Sequence, residues 1–239
     1  MKFDVIVADP PWTFVDSLKM SEVKRGAQAN YSTMTISDIQ QLAVQGVCNP
    51  AGAVLCLWVP SSLLQEGLDT MSAWGFKHKQ TYIWVKTKKN IVEETKKRVR
   101  KSAISAMKLI RDLSDRDVKD SIKDFAIVLA DKVRKLDMKN TLAFGMGRLF
   151  RQTHEVCLIG TNSNAIYKRL QNKSRRSVCF AENLRHSAKP EALQDSLEIM
   201  FPQTNRLELF ARRVRPGWTC LGNGVCNGED ITVSLSKLT

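Results

Sequence analysis

Four residues of distinctive chemistry stand together near the start of the chain: Asp9, Pro10, Pro11 and Trp12. They follow the apolar run Phe3–Ala8, whose β-branched centre predicts a strand. In an open α/β sheet, ligands bind beyond the carboxyl ends of the strands. The order of residues therefore delivers an acid, two rigid rings and an aromatic to a ligand-binding edge. Proline fixes φ and lacks an N–H, so neighbouring carbonyl oxygens can face a site with no donors beside them. Acceptors next to a flat apolar face suit an exocyclic aromatic amine. Asp9 and the Pro10 carbonyl would accept its two hydrogens while Trp12 stacks on its ring. The nitrogen is then drawn toward tetrahedral geometry, which frees its lone pair for attack. Stacking of this kind is worth about 1–3 kcal/mol on a nucleobase, enough to help hold an extruded one.

Positioning those residues requires a sheet, and the sequence supplies its strands. Phe3–Ala8, Ala53–Val59, Gln80–Val85, Glu155–Gly160, Ser177–Ala181, Leu207–Ala211 and Thr219–Leu221 read as strands. Helices are expected over Ser37–Val44, with Ser37 as its cap, over Ser61–Trp74 and over Lys189–Met200. Alternation of this kind predicts an α/β fold around a mainly parallel sheet with helices on both faces.

Residues 88–145 differ, with apolar residues at helical spacing from Val92 to Leu113 and again from Val118 to Leu136. We read a helical hairpin inserted into a catalytic domain formed by residues 1–87 and 146–239. Its densest basic run is Lys96-Lys97-Arg98-Val99-Arg100-Lys101. A solvated helix face and a phosphate-contacting surface both fit that run, and its place in an insertion favours the second. The whole chain, at net charge +13, points to a polyanionic partner.

Composition excludes other classes. At 43% hydrophobic residues over 239 positions, the chain can bury a proper core. No apolar run approaches the ~18 residues of a membrane span. The six cysteines form no C-x-x-C pair, and only three histidines are present, so buried thiols in a reducing compartment are expected and no metal site is. A soluble, intracellular protein follows as the expectation.

The ordered blocks Asp9–Trp12, Asn30–Met34, Leu57–Val59, Trp74–Phe76, Trp84–Lys86, Gly145–Arg148, His154–Gly160, Arg185–Glu191, Leu207–Arg212 and Gly217-Trp218 with Gly222-Asn223 run through nearly the whole chain outside the insertion. In them the sequence resembles the S-adenosylmethionine-dependent N(6)-adenine methyltransferase family named for the seventy-kilodalton subunit of the mRNA adenosine methyltransferase, in its short bacterial and phage form. The resemblance implies a circularly permuted class I (Rossmann-like) methyltransferase, with the catalytic strand first and the cofactor strand late. It implies that Glu208 and Arg212 serve S-adenosylmethionine at the end of that late strand, that Asn223 bonds its ribose, and that Lys189 approaches its methionine carboxylate. Gly224 stands where the family commonly carries Glu or Gln, and Glu229 is a candidate substitute. No metal is implied.

The expected reaction is methyl transfer to the amino nitrogen of adenine. Asp9, Pro10, Pro11 and Trp12 would carry the chemistry. Tyr31 and Trp58 are candidates for substrate contact or for the core, Lys86 for substrate contact, and Lys96, Lys97, Arg98, Arg100 and Lys101 for the polymer backbone. His154-Glu155 reads as structural, because the reaction needs no strong base. DNA is favoured over RNA by the compact architecture and by an insertion long enough to follow a groove. The alternatives are an RNA adenine methyltransferase, a nucleic-acid-binding subunit that needs a partner, and a methyltransferase acting on another planar amine. A homodimer or a partner subunit is compatible with the sequence.

Overall fold

The computed structural model of the chain describes residues 2–13, 33–111, 127, 141–145, 149–183, 188–225 and 229–239. Seven strands form one sheet: β1 (Val5–Ala8), β2 (Val54–Val59), β3 (Lys77–Thr87), β4 (His154–Thr161), β5 (Val178–Glu182), β6 (Arg206–Leu209) and β7 (Thr219–Leu221). Their spatial order is β5-β3-β4-β2-β1-β6-β7. Each overlaps one of the seven strands expected from the sequence. β1 runs parallel to both β2 and β6, and β6 parallel to β7, whereas β4 lies antiparallel to β2.

Every residue of β1 and β2 is buried, as expected of parallel strands covered on both faces. Side chains alternate between those faces. Leu55, Leu57 and Val59 join a core with Ile39 of α1 (Ile36–Gln40), Val44 and Val47 of α2 (Val44–Val47) and Met71 of α3 (Leu64–Ala73). Val54 and Cys56 face the other way, toward a cavity that Leu193 and Leu197 of a later helix also line. A long helix α4 (Ile91–Arg111) precedes that later helix, α5 (Ala192–Met200), and α6 (Ile231–Ser236) closes the chain. The architecture is an α/β Rossmann-like fold with helices on both faces.

Local chemistry explains the differences from expectation. Thr35, not Ser37, caps α1: its hydroxyl accepts the Asp38 N–H at 3.1 Å and the Asp38 carboxylate answers it, a reciprocal box. The expected helix over Ser37–Val44 therefore starts earlier and breaks before α2. The stretch from Ser61 begins as a 3₁₀ turn, Ser61–Leu63, before α3. Helix α6 was not anticipated; Asp230 caps it by accepting the Thr232 N–H at 2.8 Å, and it buries Ile231 and Leu235. Cys48, Cys56 and Cys157 are buried thiols. Among the described residues no helix is long and apolar enough to cross a membrane.

The chain divides into two compact units, one comprising Met1–Trp84, His154–Cys179 and Lys189–Thr239, the other Val85–Thr153 and Phe180–Ala188. In the second unit Asn90, at φ 57°, opens α4. Its N–H donates to Glu182 at 2.8 Å and its carbonyl accepts the Glu94 N–H at 3.0 Å. Glu93 and Glu94 complement the positive end of the helix. At 21 residues α4 extends about 32 Å. Of the second helical pattern, Val118 to Leu136, only Ile127 is among the described residues.

In the first unit α3 approaches the sheet through Gly67, where an added Cβ would sit 2.6 Å from a Val59 methyl and 3.2 Å from Leu158. Alanine gains helix propensity of up to about 1 kcal/mol. Overpacking against two buried strands costs about 1–3 kcal/mol and prevails. Gly67→Ala is therefore expected to lower the thermal midpoint by a few degrees, and an unchanged or raised midpoint would refute this close approach.

Candidate active site

Three parallel strands, β2, β1 and β6, end at one edge of the sheet. The chain passes from β1 to β2 on one side, while β6 leads to β7 on the other. Strand order therefore reverses between β1 and β6, and that reversal is where open α/β sheets open a crevice. Asp9 follows β1 directly at this point.

The turn after Asp9 is fixed by its own backbone. The Trp12 N–H donates to the Pro10 carbonyl at 2.9 Å, and the Met34 N–H to the Pro11 carbonyl at 3.0 Å. Thr13 adds a bond from its hydroxyl to the Met34 carbonyl at 2.6 Å. The Pro10 carbonyl is thus already engaged, with a second lone pair left for a ligand. Trp12 departs further from expectation. It is 3% exposed, packs into the core cluster, and donates its indole N–H to the Trp58 carbonyl at 2.9 Å. Rather than offering an open stacking face, the ring pins the Pro-Pro turn to the end of β2.

Lys189 closes the site. Its ammonium lies 2.8 Å from both Asp9 oxygens and 3.2 Å from Glu155, with its Nζ 5.6 Å from the centre of the Trp58 ring. The three carboxylate contacts match the three donors of an ammonium, so a further anion would have to displace one. Burial alone would lower the Lys189 pKa; the charges and hydrogen bonds of Asp9 and Glu155 outweigh it and raise the pKa above the ordinary lysine value. Glu155, read from sequence as structural, is a member of this cluster. Its only sequence signal was its place beside His154 at the start of a strand.

The neighbouring strand supplies a second acid. Glu208 lies on β6, in register with Val7 and with Cys220. Burial raises its pKa, although a hydrogen bond from Gln194 and the positive charge of Arg213 oppose the shift. Gln194 is 2% exposed, and its side-chain oxygen has no hydrogen-bond partner among the described residues. Phe210, just past β6, holds φ at 63°, a conformation that is uncommon for a side chain of its bulk. The turn carrying Asn223 presses on this segment: a Cβ on Gly222 would lie 2.5 Å from the Ala211 backbone, and one on Gly224 2.6 Å from Arg212. Gly224 thus stands where no side chain fits. Asn223 and Arg212 are both exposed.

Arg215 braces the segment after β6 against α5. It reaches Asp195 at 2.6 Å and Glu198 at 2.7 Å and also pairs with Glu191, while the Trp218 indole donates to Glu198 at 2.6 Å. The Arg215 hydrogen bond holds the Glu198 carboxyl below its ordinary pKa. Since Lys189 lies two residues before Glu191, the brace also limits where its ammonium can sit.

The remaining candidates are dispersed. Trp58 is buried and meets Tyr82 edge-on at 6.2 Å between ring centres, a core position whose ring also touches Lys189. Tyr31 lies outside the described residues. Lys86 belongs to the second unit, where its N–H donates to the Thr153 carbonyl at 2.8 Å. On α4, Lys96 pairs with Glu93 at 2.9 Å and Arg98 with Glu94 at 3.9 Å, both exposed pairs of small worth. Lys97, Arg100 and Lys101 are exposed.

The reversal point, with one acid just past β1 and a partly desolvated acid on β6, is that of a Rossmann-like protein. The chain matches MT-A70 over residues 3–127 and 126–224, and it belongs to the MT-A70 family. It is 25% identical over 224 residues to a rice (Oryza sativa subsp. japonica) protein named Probable N(6)-adenosine-methyltransferase MT-A70-like, covering 93% of this chain and 23% of that one. It is 24% identical to human N(6)-adenosine-methyltransferase catalytic subunit METTL3, over 93% of this chain and 28% of that one. A 90-residue stretch, 37% of this chain and 11% of the other, is 31% identical to the Arabidopsis thaliana N6-adenosine-methyltransferase non-catalytic subunit MTB. The chain spans about a quarter of the length of the first two.

Two outcomes follow from the charges at this edge. Lys189→Met strands two carboxylates and is expected to cost about 1–3 kcal/mol at pH 7. A raised lysine pKa stabilises fully below the ordinary value of about 10.4, and that contribution is lost as pH rises through the folded value. The gap between variant and wild type, measured by denaturant unfolding, should therefore narrow at strongly alkaline pH. A gap that is absent at pH 7 would contradict the cluster. Glu208 has the opposite sign: its raised pKa costs stability as pH climbs above the ordinary glutamate value. Glu208→Gln should melt higher than wild type at pH 7 but not at pH 4.

Proposed function

We propose that this chain transfers a methyl group from S-adenosylmethionine to the exocyclic amino nitrogen of adenine in nucleic acid, with DNA as the polymer. The observation that carries the reading is the Asp9 carboxylate, held by Lys189 at 2.8 Å on the edge where β1 and β6 diverge. Family membership and relatives named as N(6)-adenosine methyltransferases support the target atom.

The β6 side fits the cofactor. Glu208 is a partly desolvated acid able to accept from ribose hydroxyls, Gln194 offers an unpartnered buried oxygen, and Gly222 and Gly224 hold Asn223 against the strand end. Glu208, Arg212 and Asn223 would hold S-adenosylmethionine. When bound, it supplies a methyl carbon on a positively charged sulfur that departs as a neutral thioether.

The protein's own residues do the rest. Asp9 and the free lone pair of the Pro10 carbonyl accept the two amine hydrogens and orient the nitrogen lone pair along the line of attack. The nitrogen–carbon bond forms as the carbon–sulfur bond breaks, and the amine proton then leaves to solvent or through Asp9. Lys189 fixes the Asp9 carboxylate in that orientation, and much of the rate comes from this alignment. Trp12 positions the turn; base stacking falls to another group. The cations of α4 would grip phosphates, which position a polymer without reading its sequence.

A second polymer, RNA, is favoured by one observation: the relatives are named for adenosine, the riboside. Labelled methyl transfer to duplex DNA, single-stranded DNA and RNA, followed by nucleoside analysis, separates the two. N(6)-methyladenine in DNA is expected, falling at least ~10²-fold with Asp9→Ala. N(6)-methyladenosine in RNA alone would move the proposal to RNA. No transfer to any polymer despite cofactor binding would refute a stand-alone enzyme and point to a missing partner subunit. Reversing Lys97, Arg100 and Lys101 to Glu should weaken polymer binding and reduce the slope of log affinity against log salt by about three.

A further inference from the structure

On the sheet face covered by α5, the first unit holds a cavity of about 180 Å³ that opens to solvent. Tyr82 and Ile159 from the strands and Leu193 and Leu197 from α5 give it apolar walls. Arg175 and Arg176 also line it; both are exposed, and neither has an acidic partner among the described residues. Thr161 adds a hydroxyl that is buried and unpartnered among the described residues. The register places Thr161 opposite Val54, at the start of β2. Ala8 is level with Leu57, so at about 3.3 Å per residue that end of β2 lies roughly 13 Å from the edge bearing Asp9. The cavity is thus separate from the catalytic edge.

Its chemistry is one-sided. The volume exceeds the ~150 Å³ that accommodates benzene in an apolar interior. Two guanidinium groups at the wall attract an anion, and guanidinium pairs with carboxylate through two parallel bonds. A buried hydroxyl without a partner is costly, and a carboxylate oxygen is an acceptor it lacks. We propose that this cavity binds a small amphipathic acid: an apolar body of about six to eight carbons, which suits the volume, carrying one carboxylate that meets Arg175 and Arg176. Tyr82 is a shared wall, since its ring lines the cavity and meets Trp58 beside Lys189.

Calorimetric titration of the full chain with octanoate, octanol and octylamine tests this without any activity readout. Saturable one-site binding of octanoate is expected, with octanol about tenfold weaker and octylamine weaker still. Arg175→Glu combined with Arg176→Glu, both at the surface, should weaken octanoate about tenfold and leave octanol unchanged. Ser196→Phe, which fills the cavity from α5, should abolish binding of both. Equal affinity for octanoate and octanol would overturn the proposal, as would an unaffected octanoate affinity in either variant or no saturable binding to wild type. Should Ser196→Phe fail to unfold cooperatively, the surface double variant decides.

Discussion

One ammonium group organises the edge where β1 and β6 diverge. Lys189 sits between Asp9 and Glu155 and over Trp58, and so ties together the end of β1, the start of β4, the end of β2 and the segment leading into α5. Without it two carboxylates would face each other at a partly buried site, where like charges repel strongly. The sheet order makes this cluster possible by bringing β1 between β2 and β6, with β4 next to β2. The Arg215 brace keeps the α5 end of the arrangement in place. Asp9 is therefore a pre-oriented acceptor, which the proposed attack by a weakly basic amine would need.

The edge divides its work between two strands. β1 carries Asp9 and a turn whose carbonyls are partly used and whose aromatic ring is buried. β6 carries a carboxylate that the fold holds at a cost in stability, next to a buried oxygen without a partner. Polar groups left costly by the fold are common at functional sites, where a ligand supplies what the protein lacks. Under the proposed function, chemistry falls to β1 and cofactor binding to β6.

Much of this was legible in the sequence. All seven strands follow from short apolar runs between turns, and the candidate site past the first strand is read from Asp9-Pro10-Pro11-Trp12. What stayed hidden depends on partners far along the chain. Trp12 reads as an exposed platform until its bond to the Trp58 carbonyl, 46 residues away, is seen. The pairing of Lys189 with Asp9 joins residues 180 apart, and no local periodicity reports it. Glu155 reads as structural because the reaction needs no strong base, and its ion pair with Lys189 is visible only in the fold. Gly224 looked like a missing ligand, whereas a Cβ there would strike the Arg212 backbone. The start of α1 is legible but differs in detail, since Thr35, two residues upstream of Ser37, forms the capping pair with Asp38.

The division of labour between β1 and β6 is tested most directly by equilibrium binding of S-adenosylmethionine to wild type, Asp9→Asn and Glu208→Ala. The account predicts that Asp9→Asn binds within about threefold of wild type, because uniform binding and chemistry separate when different groups carry them. It predicts that Glu208→Ala binds at least about tenfold more weakly, the worth of hydrogen bonds to a charged group. Unchanged affinity in Glu208→Ala, or an equal loss in both variants, would contradict it.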